Sequence, residues 1–210
     1  PRSRGLGDVY KRQVLGLLAY GKERFKPYNS NLQPHSKQTL SWLQIEGNIH
    51  TYFPLGNKFV LGVRGKAVVS SKGLLSNYTS TLIQAPAFTP TPHSKTIFNP
   101  AFRSTQYLAA GVIPIWKILN NLQFRNEFYV FAPFRQIYEG ENMVPYYGKA
   151  FTKYHFMGES SLVLDLSFAS ISLYANYYDY PARNWNFGIN IGLLAVSYTH
   201  LRAHETEADL

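Results

Sequence analysis

The chain has 210 residues, 21 Lys and Arg against 12 Asp and Glu, a formal net charge of +9, no Cys, and an aromatic content of 16%. With 45% hydrophobic residues the chain can build a core, and without Cys it forms neither a disulfide scaffold nor a Cys-based zinc site. No stretch approaches the ~18 consecutive apolar residues of a membrane-spanning helix, so the composition leaves a β-rich soluble domain or a transmembrane β-barrel.

The two ends of the chain differ from the rest. Residues 1–13 contain GDVYKRQ, residues 196–210 begin with VSYTHLRAHET, and both resemble translated sequencing adaptor. Neither end shows apolar periodicity, so both are set aside from fold prediction as foreign segments. The expected organisation is a segment 1–13 that is not native, a barrel fragment 14–195, and a second segment 196–210 that is not native.

Between the ends, apolar and polar residues alternate with period two, which predicts β-strands with one apolar and one polar face. In 43–53, for example, Leu43, Ile45 and Ile49 share one face, while Glu46 and His50 share the other. Proline recurs along the chain and argues against helices, and the patterning shows no convincing one. About eight strands are predicted, at 14–20, 43–53, 59–70, 107–116, 122–134, 149–164, 171–178 and 185–193.

The predicted connections alternate between short and long. Tight turns are expected at 54–58 and 120–121, and a short link at 166–170. The connections 71–104 and 135–148 are long, and the first is rich in Pro, Ser and Thr. Short turns at one end and long loops at the other are typical of a transmembrane barrel.

Alternation alone fits both a soluble sandwich and a membrane barrel, and three features favour the barrel. The apolar faces run for ~10 residues, the length of a tilted transmembrane strand. The polar faces are rich in Gly, Asn, Ser, Gln and Tyr and carry few charges. Aromatic residues gather near the predicted strand ends, as in the interfacial girdles of barrels: Trp42, Tyr52, Phe53, Tyr107, Trp116, Phe131, Phe134, Tyr146, Tyr147, Tyr177, Tyr178 and Trp185.

Several motifs resemble a known family. They are PAFTPTP at 86–92, FNPAFRS at 98–104, YLAAG at 107–111 followed by Pro114, FYVF at 128–131, FMG at 156–158, SLYANYYD at 172–179 and NFG at 186–188. These stretches resemble the C-terminal barrel of patatin-like phospholipases of Bacteroidetes-type bacteria, which belongs to the bacterial surface antigen and outer-membrane assembly superfamily. The resemblance implies a sixteen-stranded barrel that follows a hydrolase domain.

The resemblance also implies roles for single residues. In the superfamily a long loop before the last five strands carries a V-R-G-F/Y motif, whose arginine pairs with an acidic residue two strands further on. Arg103 in the long connection matches that arginine, although Ser104 replaces the usual Gly. Glu127 matches the acidic residue, so an Arg103–Glu127 ion pair is expected in the lumen. The literal Val63-Arg64-Gly65 match lies within a predicted strand and lacks the loop context.

Recognisable catalytic chemistry is absent from the sequence. A patatin hydrolase needs a Gly-x-Ser-x-Gly elbow, and Gly158-Glu-Ser160 lacks the second Gly. His50 and His155 have glutamates four residues away, about 13 Å along a strand, which is too far to share a metal ion. No cofactor or metal is expected. The polar residues predicted to face the lumen are Glu46, His50, Arg64, Lys66, Arg125, His155 and Glu159.

The expected partners follow from the resemblance: outer-membrane lipid, the N-terminal half of the barrel with its upstream domains, and the barrel-assembly machinery. The basic residues are scattered without a stacking motif, so nucleic acid is not expected. The chain is therefore interpreted as a non-catalytic half of a barrel in the bacterial outer membrane, an anchor or translocation unit for a patatin-like phospholipase. The alternatives are the barrel of an assembly or secretion factor or porin, and a soluble β-sandwich binding module.

Overall fold

The structure, a computed structural model, describes residues 12–25, 38–179 and 185–193. The chain folds into an eight-stranded antiparallel sheet and a separate two-stranded hairpin. The strands are β1 (Gln13–Phe25), β2 (Gln38–Pro54), β3 (Phe59–Ser70), β4 (Gln106–Lys117), β5 (Leu122–Pro133), β6 (Arg135–Glu139), β7 (Pro145–Ala150), β8 (His155–Asp165), β9 (Ala169–Tyr178) and β10 (Trp185–Leu193).

The strand order in the large sheet is β1-β2-β3-β4-β5-β8-β9-β10, and each strand pairs antiparallel with the next. The chain therefore runs up and down, with the β6–β7 hairpin placed between β5 and β8. The prediction of an all-β antiparallel fold with about eight strands is confirmed. Within the described ranges, β1 and β10 are the two edges of the sheet.

Most predicted strands lie close to the observed ones, with two differences. The run 149–164 is not one strand, because β7 ends at Ala150 and β8 begins at His155. Phe151, just after β7, has a φ of 51°, which is incompatible with a continuous strand. The first strand begins at Gln13, the last residue of the front segment predicted to be foreign, and Gln13 pairs with His50. Residues 1–11 and 194–210 lie outside the described ranges.

One short α-helix, α1 (Tyr78–Gln84), contradicts the prediction that the chain has no helix. The Oδ1 of Asn77 caps it by accepting a hydrogen bond from the backbone N–H of Ser80 at 3.3 Å. Shorter 3-10 turns lie at His93–Lys95, Pro100–Phe102 and Glu141–Met143. None of the helices in the described ranges is long and apolar enough to cross a membrane.

The two ends of the sheet carry different connections. At one end, residues 55–58, 118–121 and 166–168 join neighbouring strands by tight turns. Gly56 in the first turn has a φ of 123°, a conformation that favours glycine. At the other end, residues 71–105 join β3 to β4, and the β6–β7 hairpin lies between β5 and β8. The alternation of short and long connections predicted from the sequence is therefore present.

The two faces of the sheet have opposite environments. In β4, Tyr107, Ala109 and Ile113 are buried at 2%, 6% and 0% exposure, whereas Leu108 and Val112 on the other face are 55% and 45% exposed. Segment 71–104 lies on the first face, which we call the covered face. The other, called the open face, carries most of the apolar side chains of the strands and has no covering layer in the described part of the chain.

The main core lies between the covered face and segment 71–104. Phe88 and Phe102 of the segment insert among aromatic side chains of β4, β5 and β9. Gly111 permits this packing, because the ring of Tyr129 occupies the space that a Cβ would fill. The cluster contains Val60, Val68, Phe88, Ala101, Phe102, Tyr107, Ala109, Ile113, Ile115, Tyr129, Phe131, Met157 and Tyr178.

The expected aromatic girdles need revision, because the strand alternation divides the aromatic residues between the two faces. Trp42, Tyr52, Tyr107, Phe131 and Tyr178 lie on the covered face. On the open face, the Trp116 ring lies 5.1 Å from Phe59 and 6.1 Å from Phe124, next to the tight turns. Tyr177 and Trp185, 5.2 Å apart, lie at the opposite end. Among these open-face aromatic residues, Trp116, Phe124 and Trp185 have exposed side chains.

Candidate functional site

The candidate site is the polar part of the covered face, together with the segment that lies on it. All seven side chains predicted to share the polar faces lie on this side of the sheet, since alternate residues of paired strands share a face. They are Glu46, His50, Arg64, Lys66, Arg125, His155 and Glu159. The sheet register brings some of them into pairs and leaves others apart.

Two partly buried contacts join a basic to an acidic side chain. Lys66 Nζ on β3 lies 2.9 Å from Glu46 Oε1 on β2. His155 Nδ1, at the start of β8, lies 3.4 Å from Asp179 Oδ1, just beyond β9. The second oxygen of Asp179 accepts from the backbone N–H of Phe156 at 2.9 Å. These pairs connect neighbouring strands.

Three alternate residues of β5 form a buried network. The Nε of Arg125 donates to Glu127 Oε1 at 2.6 Å, and the hydroxyl of Tyr129 donates to Glu127 Oε2. The Glu127 residue is only 3% exposed. A buried carboxylate needs such donors, because desolvation of an unpaired charge is costly. Residues two apart share one face of a strand, which is why this network forms within a single strand.

Arg103 has a different set of partners. Its Nη1 donates to the carbonyl oxygens of Leu82 at 3.1 Å, Ile83 at 3.4 Å and Ala85 at 3.4 Å. Its guanidinium also lies over the Phe98 ring, 4.5 Å from the centroid. Burial lowers the pKa of Arg103. The guanidinium therefore satisfies free carbonyls at the C-terminal end of α1.

The expected Arg103–Glu127 ion pair is wrong for this structure. Both oxygens of Glu127 accept hydrogen bonds, one from Arg125 and one from Tyr129. Arg103 donates instead to backbone carbonyl oxygens of segment 71–104. The physical reason is proximity: a cation two residues away on the same strand face meets the carboxylate without closing a loop. The alternation Arg125, Glu127, Tyr129 was the sequence signal for this network.

A double-mutant cycle tests this assignment. We expect Arg125→Gln and Glu127→Gln to show a coupling free energy of about 0.5–3 kcal/mol, because the two side chains are in direct contact. The cycle of Arg103→Gln with Glu127→Gln should be additive within about 0.5 kcal/mol, since the two residues share no partner. Denaturant unfolding of the wild type, the three single variants and the two double variants measures both cycles. A coupling free energy in the Arg103 cycle as large as that in the Arg125 cycle would show that Arg103 and Glu127 interact after all.

The arginine that joins the sheet to segment 71–104 is Arg64. Its Nη1 donates to the carbonyl oxygen of Pro90 at 3.0 Å. Arg64 lies within β3 and pairs with His50 on β2 and Gly111 on β4. The Val63-Arg64-Gly65 triplet is thus a strand element, as the sequence indicated, but its arginine reaches the segment.

Segment 71–104 is also attached through His93, which sits in the 3-10 turn His93–Lys95. The Nδ1 of His93 and the hydroxyl of Tyr178 on β9 form a hydrogen bond of 2.9 Å. The imidazole ring also lies 5.6 Å from the ring of Tyr174. Burial lowers the pKa of His93 from its ordinary value of 6.5. The neutral imidazole is therefore the form that favours attachment.

This depressed pKa predicts a pH dependence. The unfolded state binds a proton at His93 more readily than the folded state, so stability rises with pH in that window. We expect the contribution to be complete above pH ~6.5 and to be lost as pH falls through 6.5 towards the lowered folded-state value. Unfolding free energy from pH 8 to 5 should fall more steeply in the wild type than in His93→Gln. Tyr178→Phe should keep the slope, because it leaves the buried imidazole in place.

A second acidic residue on this face is Glu159 of β8. It lies directly opposite Glu127 of β5 and Asn176 of β9. Glu159 is 6% exposed and Asn176 is 1% exposed. Glu159 Oε2 and both polar side-chain atoms of Asn176 lack a hydrogen-bond partner. Sequence reasoning placed Glu159 on this face but missed its neighbours, because register between distant strands is not visible in local patterning.

The serine of the incomplete Gly158-Glu-Ser160 match is hydrogen-bonded to an amide rather than to a base. The Oγ of Ser160 donates to Asn126 Oδ1 at 2.6 Å, and both residues lie on the open face, away from Glu159. A serine nucleophile needs a base and an orienting group at this distance. Within the described ranges, no group of three or more His, Cys, Asp or Glu residues could hold a metal ion. The arrangement instead connects a folded segment to a sheet face by charged and aromatic contacts.

Comparison of the chain with protein-family models, with curated proteins and with solved structures found no match. The family resemblance therefore rests on the sequence motifs alone.

Proposed function

We propose that the chain forms part of a transmembrane β-barrel in the bacterial outer membrane, where it acts as a non-catalytic anchor or translocation unit of a patatin-like phospholipase. One observation carries the membrane part of this proposal. Most apolar side chains of the strands lie on the open face, where many are exposed, while most charged side chains lie on the covered face, beside the core that segment 71–104 closes. A sheet in water places its apolar face against the core.

The open face is too extensive to be an incidental surface. Phe128 is 53% exposed, Leu173 53%, Phe187 76% and Ile191 69%. These residues lie on β5, β9 and β10, and Leu43, Ile45 and Ile49 of β2 are also exposed on the same face at the other side of the sheet. Contiguous apolar patches above a few hundred Å² mark contact with a membrane or another protein. Lipid satisfies the whole face at once and requires no specific partner.

Strand length and connection length support the same conclusion. The strands β3, β4 and β5 each have 12 residues, and β10 has 9. A tilted strand needs about 9–11 residues to cross the hydrocarbon layer. Tight turns join the strands at one end and long segments at the other, which is the usual asymmetry of outer-membrane barrels. The open-face aromatics lie near both ends.

The covered face supports a barrel interior. Barrel lumens are polar and are often filled by a loop. Here the ion pair Lys66–Glu46 and the Arg125–Glu127 network lie on the covered face, and segment 71–104 packs beside them. An unpaired strand edge is not tolerated in lipid. We therefore propose that further strands pair with β1 and β10, and the family resemblance supports sixteen strands in total.

The patatin-like parent rests on the motifs at 86–92, 98–104 and 172–179, which resemble that family. In this proposal the barrel fixes the enzyme to the membrane, and the barrel-assembly machinery inserts it.

Membrane fractionation of the protein that contains this chain tests the proposal. We expect it in the outer-membrane fraction, resistant to alkaline carbonate, released by detergent, and faster in gel electrophoresis before boiling than after. Recovery in the soluble fraction without detergent would contradict a membrane location. If the protein is found in the membrane but has no lipid acyl hydrolase activity, the barrel proposal stands and the proposal of a patatin-like parent is wrong.

A further inference from the structure

The guanidinium of Arg64 has an unused edge on the covered face. Its Nη1 donates to the carbonyl oxygen of Pro90 at 3.0 Å, while its Nε is buried without a hydrogen-bond partner. In a planar guanidinium the N–H of Nε and one N–H of Nη2 point in parallel, and such a fork fits two oxygens of a carboxylate or phosphate. The Pro90 contact leaves this edge oriented away from the carbonyl.

Neighbouring cations differ from Arg64 in their partners. Lys66, two residues along the same strand face, contacts Glu46 at 2.9 Å, and Arg125 contacts Glu127 at 2.6 Å. Arg64 donates instead to the neutral carbonyl oxygen of Pro90. Its positive charge is therefore not compensated by a contacting carboxylate in the described part of the chain. A half-buried cation of this kind favours an anion.

His50 contributes a second unpartnered atom at the same place. His50 pairs directly with Arg64 across β2 and β3, which brings their Cβ atoms to about 4.5–5.5 Å on one face. The Nε2 of His50 is buried without a hydrogen-bond partner. The ring lies 4.7 Å from the ring of Tyr52, whose hydroxyl accepts from Arg125 Nη2 at 3.5 Å. The histidine therefore lies between Arg64, its cross-strand neighbour, and Tyr52, which accepts from Arg125.

Two acidic residues on this face already have partners in the sheet, since Glu46 contacts Lys66 and Glu127 contacts Arg125. Glu127 lies on the same face, but it accepts from both Arg125 and Tyr129. Arg64 and His50 are themselves half-buried, so the position is sheltered without being closed. A compact oxyanion would meet the Arg64 fork and the Nε2–H of His50 together.

We propose that Arg64 and His50 form a binding site for a phosphate group on the covered face of the sheet, beside the Arg125–Glu127 ion pair of β5. Phosphate suits the site better than a carboxylate because its tetrahedral oxygens accept from the Arg64 fork and from His50 at once. The phosphate comes either from free inorganic phosphate or from a lipid headgroup. The site is defined by β2, β3 and β5, so it does not depend on the proposed membrane location.

Isothermal titration of the detergent-purified protein that contains this chain with inorganic phosphate tests the site. We expect saturable binding at one site per chain, and roughly 10- to 100-fold weaker binding in Arg64→Gln, since a charge-assisted pair of hydrogen bonds is lost. Arg135→Gln is the matched control, because Arg135 is an exposed arginine over the Phe134 ring, 5.5 Å from its centroid. It should bind as the wild type does.

If Arg64→Gln does not fold, Arg64→Lys keeps the charge and removes the fork, and its affinity should still fall. No saturable binding by the wild type, or equal losses in Arg64→Gln and Arg135→Gln, would overturn the proposal. A short-chain phosphatidic acid distinguishes the sources: tighter binding than inorganic phosphate assigns the site to a lipid headgroup, and equal binding assigns it to free phosphate. Fractionation of the same protein tests membrane location separately.

Discussion

Phe128→Arg should prevent stable insertion of the protein into the outer membrane. Phe128 lies near the middle of β5 on the open face, opposite Val112 and Gly158, and is 53% exposed. An arginine at the midplane of a transmembrane barrel costs about 2–4 kcal/mol. The same substitution on a water-exposed sheet changes stability by about 0.5 kcal/mol or less. The fraction of heat-modifiable protein in isolated outer membranes measures the effect.

Leu119→Arg is the matched control. Leu119 is also an exposed apolar residue, at 61%, but it lies in the tight turn between β4 and β5. Arginine near the membrane interface costs about 0–1 kcal/mol, so insertion should be close to that of the wild type. Equal insertion of Phe128→Arg and the wild type would show that the open face does not contact lipid.

Phe88→Ala should produce the largest loss of stability. Phe88 is 1% exposed, and its ring lies 5.7 Å from Tyr129 and 6.1 Å from Phe131. It joins segment 71–104 to the sheet at the centre of the core cluster. Truncating a buried phenylalanine to alanine costs about 3–5 kcal/mol, through lost burial and the cavity that remains. Denaturant unfolding of the detergent-solubilised protein measures the change.

Phe98→Ala provides the comparison within the same segment. Phe98 is 51% exposed, and its packing on the Arg103 guanidinium is worth about 0.5–1 kcal/mol at an exposed site. We expect the denaturant midpoint of Phe98→Ala to shift far less than that of Phe88→Ala. If Phe88→Ala unfolds like the wild type, segment 71–104 does not form the core with the covered face.

The strands could be predicted because their faces differ in polarity. In β3, Leu61 and Val63 share one face and Arg64 and Lys66 the other, and the structure keeps this division. The prediction held because a one-residue slip would exchange the two faces. Alternation did not predict what covers each face, and the structure shows that the face with the charged side chains also carries the main core, closed by segment 71–104.

The helix α1 and the β6–β7 hairpin could not be predicted from local patterning. The helix has seven residues, several of them β-branched or hydroxylated, and such a sequence has weak intrinsic helicity. It is stabilised by tertiary contacts, since Leu82 and Ala85 pack with Ile137 of β6, and Arg103 binds its last carbonyls. Because the helix and the hairpin stabilise each other by tertiary contacts, the local sequence of each does not predict it.

The charged residues were placed on the correct face but with incorrect pairing. Family resemblance suggested Arg103 as the partner of Glu127, whereas Arg125 lies on the same strand and reaches the carboxylate directly. Likewise, the contact between Arg64 and Pro90 joins residues 26 positions apart. Such pairings depend on how segment 71–104 folds back, which alternation within strands does not encode.

Site-directed spin labelling along β4 tests the central claim most directly, because the chain contains no Cys and accepts single labels without a background. Labels at Leu108, Ala110 and Val112 report on the open face, and labels at Ala109 and Ile113 on the covered face. In reconstituted bilayers we expect accessibility to oxygen to rise at every open-face position and fall at every covered one. Higher accessibility to a water-soluble nickel reagent at Leu108, Ala110 and Val112 would show an aqueous open face and contradict the membrane account.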